Sequence, residues 1–201
     1  AEGRAVLLYH VERMNEESAN ALLKVMEEPP EGVLFLLTAD SLAGVLPTIR
    51  SRCISFAVAP VSPEECAQWC IGQGVDKKQA RLYSELFDGH IGTVLDAARD
   101  EARRAQVDKA LALAKAAAAQ DSYAAAVLLA AYEKDKVGAA ALLADFRAVA
   151  AAGLRGSPRA PVQGDAARKA LAAADAAIQR LGAQVNPKIT LSVLAMKFRT
   201  F

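Results

Sequence analysis

The sequence predicts a mostly α-helical chain that opens on the remnant of an α/β core with a parallel sheet. Three observations carry this reading. A helix halted at Pro29 and Pro30 leads into the unbroken apolar run Val33-Leu-Phe-Leu-Leu-Thr38. Helix-start signals then recur, from Ser62-Pro63-Glu64-Glu65 to Asn186-Pro187. Beyond Glu101 about one-third of the residues are alanine, far above average usage and strongly favourable to helix.

The first strand runs into Leu7-Leu-Tyr9. Asn15 can cap the next helix, and Glu16 and Glu17 place negative charge in its first turn, where the helix dipole favours it. Ala19, Leu22, Leu23 and Met26 recur at helical spacing and define a buried face. Pro29 and Pro30 lack amide protons and disfavour helix in the residue before each, so the helix stops near Glu28. The run over 33–38 does not alternate with polar residues, which suits a strand buried on both faces of a parallel sheet. Strand, helix and strand make a βαβ unit. The turn Thr48-Ile-Arg-Ser-Arg-Cys53 then pushes a guanidinium outward, and a further strand begins near Ile54.

From there every element reads as helix. Ser62 caps, Pro63 takes the first helical position and Glu65 completes a capping box, for a helix ending at Gly72 to Gly74. Further helices are predicted over 76–87, 92–104, 104–119, 122–134, 136–152, 165–182 and 187–199. The last places Ile189, Val193 and Met196 on one side. The longest loop, 153–164, holds three glycines and two prolines among its turn residues. Three segments follow: 1–59 as the α/β part, 60–104 as three short helices, and 105–201 as an all-α bundle.

Two motifs are specific enough to name a family. Asn20-Ala-Leu-Leu-Lys24-Val-Met-Glu27-Glu28-Pro29-Pro30, followed by Ser51-Arg52-Cys53, resembles the clamp-loader subunits of bacterial DNA polymerase III, members of the AAA+ ATPase superfamily. The resemblance implies that 1–59 is the C-terminal part of an AAA+ nucleotide-binding core, 60–104 a helical lid and 105–201 the collar through which subunits form a ring. It also implies that the first half of the core, with a phosphate loop and the zinc module common in relatives, would precede Ala1. A phosphate-loop strand would then sit between 33–38 and the strand near Ile54. Without it the sheet is split, its edges are unpaired, and 1–59 is weakly ordered or pairs with another copy.

Departures from the family pattern indicate the branch. ATP-hydrolysing gamma/tau subunits end the first strand in an Asp-Glu pair that holds Mg²⁺ and positions water. Aligned on Asn20, those positions are Tyr9 and His10, and neither replaces a carboxylate as ligand to a hard cation. Thr38 stands where active relatives carry a polar phosphate sensor, and its expected role is to close the strand. Gly92 stands where a phosphate-sensing arginine would be. These positions read as a degenerate ATP site, and the chain is similar to the delta-prime branch, which does not hydrolyse ATP itself. Alternatives from other classes are a gamma/tau-type ATPase with displaced catalytic residues and a purely structural collar scaffold.

The resemblance makes Arg52 an arginine finger reaching in trans to the γ-phosphate on a neighbouring subunit. Guanidinium suits that task because it is planar, permanently charged and offers fixed donors. Arg52 can be read instead as holding its own turn or pairing with Glu27 or Glu28, and Arg50 competes for the role. Asn20, Lys24, Glu27, Glu28, Pro29, Pro30, Arg50, Ser51 and Cys53 are the accompanying motif and interface positions. The implied partners are gamma/tau and delta subunits, with the sliding clamp and primer-template DNA met through the assembled complex. No cofactor is expected on this chain, since ATP-Mg acts on the neighbour. The setting implied is cytoplasmic replication, within a DNA-directed DNA polymerase (nucleotidyltransferase) complex.

Composition adds exclusions. A formal charge of +1 gives little electrostatic reason to bind nucleic acid alone, and 5% aromatic residues give little basis for stacking bases. Cys66 and Cys70 lie one helical turn apart, without the four ligands of a structural zinc site, so all three cysteines read as small thiols and no metal ligands are assigned. No carboxylate is placed with His10 or His90 by sequence. No apolar stretch long enough to span a membrane is expected.

Overall fold

The computed structural model describes residues 3–59 and 61–201. Ala1 and Pro60, the first residues of two predicted segments, lie outside the described residues, as does Glu2. The chain forms two compact units that part after Val58.

In the first unit, β1 (Arg4–Leu8) and β2 (Val33–Leu37) form a two-stranded parallel sheet, with Arg4 opposite Val33 and Leu8 opposite Leu37. Helix α1 (Glu16–Glu27) makes the crossover. Asn15 Oδ1 accepts the Ser18 amide at 2.8 Å to start it, and Glu28 ends it just before the prolines. Its face of Ala19, Leu22, Leu23 and Met26 packs with Val11, Val45 and Ile49 in a small core. Ile49 comes from α2 (Pro47–Arg50), a single helical turn where the sequence suggested only a basic turn.

Two sequence expectations fail here. The strand over 33–38 is not buried on both faces. Leu34 and Leu36 are exposed, while Phe35 and Leu37 are half-buried on the other face. An apolar run signals a strand made to be covered twice, but among the described residues only one face has a cover. The strand near Ile54 does not form either. Residues 54–59 carry no regular secondary structure, with Ile54 85%, Phe56 84% and Val58 93% exposed. A strand needs a partner ladder, and none of the described residues supplies it.

The second unit is helical throughout: α3 (Pro63–Gly72), α4 (Lys77–Leu86), α5 (Ile91–Arg99), α6 (Glu101–Ala118), α7 (Ser122–Ala130), α8 (Lys136–Leu154), α9 (Gly164–Gly182) and α10 (Pro187–Lys197). The capping box forms as read: Ser62 Oγ accepts the Glu65 amide at 3.2 Å, and Glu65 accepts the Ser62 amide at 3.1 Å. Asp100, not a residue near Arg104, separates α5 from α6, because its carboxylate takes the amides of Ala102 and Arg103 and begins a new helix. Gly89 adopts a left-handed conformation (φ 76°), and a Cβ there would lie 1.8 Å from the Val61 carbonyl oxygen. Residues read as lid and as collar share one continuous buried core, running from Cys66 and Tyr83 through Leu113 and Phe146 to Phe198.

Alanine sets the scale of this core. Ala110, Ala114, Ala117, Ala150, Ala170 and Ala174 are fully buried. Small side chains let helix axes approach closely, and the large residues Phe146, Phe198, Leu142 and Leu143 fill what remains. On α10 the expected face is wrong. Thr190, Leu191, Leu194 and Ala195 are buried, while Ile189 and Met196 are exposed. Helical periodicity locates a stripe, but two adjacent apolar stripes on one short helix leave the choice to tertiary packing. The membrane expectation also needs correction. α8 has 19 residues and a mean hydropathy of 1.6, enough to cross a bilayer by length and composition. Half of this apolar stretch is buried within the unit and its Asp145 is ion-paired, so α8 serves here as a core helix.

Candidate functional site: the strand ends and the Ser-Arg-Cys turn

The parallel register brings the loops after β1 and β2 side by side. Thr38 donates its amide to the Leu8 carbonyl (2.9 Å) and accepts the Val11 amide (3.0 Å), extending the ladder past the strands. Its hydroxyl accepts the His10 amide at 3.2 Å. His10 is left-handed (φ 55°) and turns its ring toward two carboxylates, with Nδ1 3.3 Å from Glu12 and 3.6 Å from Asp40. This corrects the expectation that no carboxylate accompanies His10. The signal was present in the register: Asp40 follows β2 at nearly the offset by which His10 follows β1. Tyr9, the other residue of the predicted degenerate pair, is exposed.

His10, Glu12 and Asp40 bring their ligand atoms within 4.8 Å of one another, so these three could hold a cation where the sequence assigned no metal ligands. Arg13 already lies against both carboxylates, 3.6 Å from Glu12 and 3.7 Å from Asp40, and supplies positive charge there itself. Burial opposes ionisation of Glu12, but its own backbone amide, His10 and Arg13 outweigh it and hold the carboxyl below the ordinary range.

The second group of residues centres on α2. Its buried Ile49 anchors the turn, and the amides of Arg52 and Cys53 bond back to the carbonyls of Ile49 (3.1 Å) and Arg50 (3.2 Å). Ser51 donates its hydroxyl to the Thr48 carbonyl at 3.0 Å. Arg52 thereby projects from a rigid base. Its Nη1 donates to the Thr48 carbonyl at 3.0 Å, and its Nη2 meets Glu27 Oε1 at 2.5 Å. The guanidinium arm is 37% exposed and the Glu27 side chain 51%. Asn20, Lys24 and Glu27 recur at spacings of four and three, so they share an exposed stripe of α1 that ends at Arg52. Glu28, Pro29 and Pro30 lie exposed just beyond it, Arg50 is exposed, and Cys53 is half-buried. Arg50 has no ion-pair partner among the described residues. Of the sequence alternatives for Arg52, holding its own turn through the Thr48 carbonyl and pairing with Glu27 are both present.

Gly92 lies in the second unit, exposed in the first turn of α5. A Cβ there would meet nothing within 4 Å, so a longer side chain is missing for no steric reason. Cys66 and Cys70 are fully buried, and burial followed by the neighbouring Cys66 pushes the Cys70 thiol up to about 11. A cleft of about 510 Å³ beside α3 and α4, lined by Glu64, Gln68, Arg81, Glu85 and Arg159, holds none of the predicted site residues.

Comparison with known proteins agrees with the motifs. Residues 1–62 match the family model described as DNA polymerase III, delta subunit. The DNA polymerase III subunit delta' of Yersinia pestis is 44% identical over 66 residues, which cover 33% of this chain and 19% of that protein. The DNA polymerase III subunit gamma of Buchnera aphidicola from Acyrthosiphon pisum is 32% identical over 98 residues, covering 47% of this chain and 27% of that protein. The chain thus spans between about a fifth and a quarter of the length of these relatives. A Thermotoga maritima protein related to the DNA polymerase III gamma subunit shares the fold, with a TM-score of 0.55 at 21% identity over 97% of this chain and 71% of that one. The first 62 residues are thus similar to DNA polymerase III delta-prime subunits, and the mostly helical fold to that of the gamma-subunit-related protein.

Proposed function

We propose that the chain acts as the non-hydrolysing delta-prime subunit of a bacterial clamp loader and supplies Arg52 in trans to ATP bound by a neighbouring gamma/tau subunit. The observation that carries this reading is the mounting of Arg52. A buried Ile49 and a closed network of turn hydrogen bonds fix the base of an arm whose charged end reaches the surface. A side chain needed only for the turn could be short. An arginine adds a forked cation that matches the oxygens of a phosphate.

The chain's own hydrolytic capacity is low in this reading. Tyr9 and His10 occupy the two carboxylate positions, and Arg13 fills the local demand for positive charge beside Glu12 and Asp40. The helices of 60–104 serve as lid and those of 105–201 as collar, and gamma/tau and delta are the partners. The complex places the sliding clamp on primer-template DNA in the cytoplasm, and this chain reaches clamp and DNA through it.

Similarity to gamma subunits favours a second reading, a gamma-type ATPase with displaced catalytic groups. The full-length protein separates the two. Under the first reading it turns over no ATP alone, yet joins gamma/tau and delta in one complex on a sizing column. Unaided turnover, or failure to join, refutes it.

A further inference from the structure

We propose that Glu27 is a latch on Arg52, neutralising the guanidinium until a nucleotide phosphate takes the carboxylate's place. The inference rests on the reading of Arg52 above and adds the regulation of that site.

Glu27 stands where helix physics does not want it. It is the last residue of α1, followed by Glu28, at the end where the helix dipole is negative and acidic side chains are unfavourable. A residue that weakens its own helix end needs another reason to be there, and Arg52 provides one at 2.5 Å from Nη2. The two contacts to the guanidinium differ in kind. The Thr48 carbonyl on Nη1 is neutral and orients the arm while leaving its charge intact. The Glu27 carboxylate cancels that charge and occupies the donor that a phosphate oxygen would use. An arginine so paired presents little field to an approaching nucleotide.

Exposure makes the latch reversible. A buried ion pair is costly to part because it leaves a lone charge in an apolar setting, whereas an exposed one is weak. With half of the Glu27 side chain and over a third of the Arg52 side chain in solvent, a multiply charged phosphate can displace the carboxylate. The free carboxylate then returns to water.

The test uses a loader reconstituted from gamma/tau, delta and the full-length form of this chain, with hydrolysis measured before primed DNA is added. Glu27→Gln keeps the shape and removes the charge. It is expected to raise DNA-independent ATP hydrolysis about two- to fivefold, the span that the strength of an exposed pair converts to. Glu31→Gln, a nearby exposed carboxylate without an ion pair among the described residues, is expected to leave the rate unchanged. The double variant Glu27→Gln/Arg52→Ala is expected to lose the gain, which a merely structural role for Glu27 would not produce. An unchanged rate in Glu27→Gln overturns the latch, and a lowered rate makes Glu27 an aid to the finger and overturns it too. Should Arg52→Ala alone prove silent, the finger itself fails and the latch falls with it. A loss in Arg52→Ala beside no gain in Glu27→Gln sinks only the latch.

Discussion

Asp145 of α8 is buried, and both of its oxygens accept hydrogen bonds from the Arg103 guanidinium of α6. Gln106 donates to the same carboxylate at 2.6 Å, and the Arg103 guanidinium lies 5.6 Å from the centre of the Phe87 ring. This network ties α6, α8 and the end of α4 together. The Asp145 hydrogen bond, and then its charge, raises the Arg103 pKa against the opposing effect of burial. Removing one partner strands the other, so Asp145→Ala is expected to destabilise the helical unit by about 3 kcal/mol. Chemical denaturation measures it. A loss under about 0.5 kcal/mol, the usual surface value, would contradict the network's role.

Gly153 gives a second stability prediction. Its place on α8 brings a hypothetical Cβ to 1.8 Å from the Val162 carbonyl oxygen and 3.3 Å from Ala167. Backbone cannot swing aside like a flexible side chain, so Gly153→Ala is expected to cost about 3 kcal/mol by overpacking. A melting temperature equal to wild type would show that the 155–163 loop yields freely.

Most of the helical unit is legible in the amino-acid sequence because its signals are local. Ser62, Asp76, Asn186 and their neighbours cap helices with their own side chains, and a cap needs no knowledge of the rest of the chain. What escapes is tertiary. Choosing Leu191 and Leu194 over Ile189 and Met196 depends on what packs against α10. The exposure of Leu34 and of residues 54–59 depends on covers and partners that local pattern cannot report. At the site, Ser51-Arg52-Cys53 and the α1 motif are readable as motifs, with pairing of Arg52 to Glu27 as one open alternative. The gathering of His10, Glu12 and Asp40 requires the strand register.

The sheet supplies the third prediction. β2 is paired only with β1 among the described residues, and one face is bare. So short a ladder opens readily. Backbone amides of 33–37 are expected to exchange with deuterium far sooner than those of α8 around Leu142 to Ala150. Equal protection in a monomer would mean the first unit has a stability that its contacts do not explain.

The thiols supply a fourth. Cys70 ionises near 11 in the folded chain against an ordinary value near 9.0, because burial disfavours the thiolate. A raised folded pKa gives stability that is complete below the unfolded value and lost as pH climbs toward the folded one. Melting temperature should therefore fall between about pH 9 and 11, with Tyr83, also raised by burial, adding to the decline. Cys70→Ala should make that slope shallower. Alkylation of the native chain should mark Cys53 first, leaving Cys66 and Cys70 untouched until unfolding. Prompt labelling of Cys70 at neutral pH would contradict its burial.

Arg52 carries the functional account, and the most direct measurement is DNA-stimulated ATP hydrolysis by a loader reconstituted with Arg52→Ala. Arginine fingers elsewhere are worth roughly 10³–10⁵ in rate. One site among several in a ring should give a smaller but clear deficit, and clamp loading should fall with it, while the complex still assembles. Hydrolysis and loading at wild-type levels, from an intact complex lacking this one guanidinium, would contradict the account.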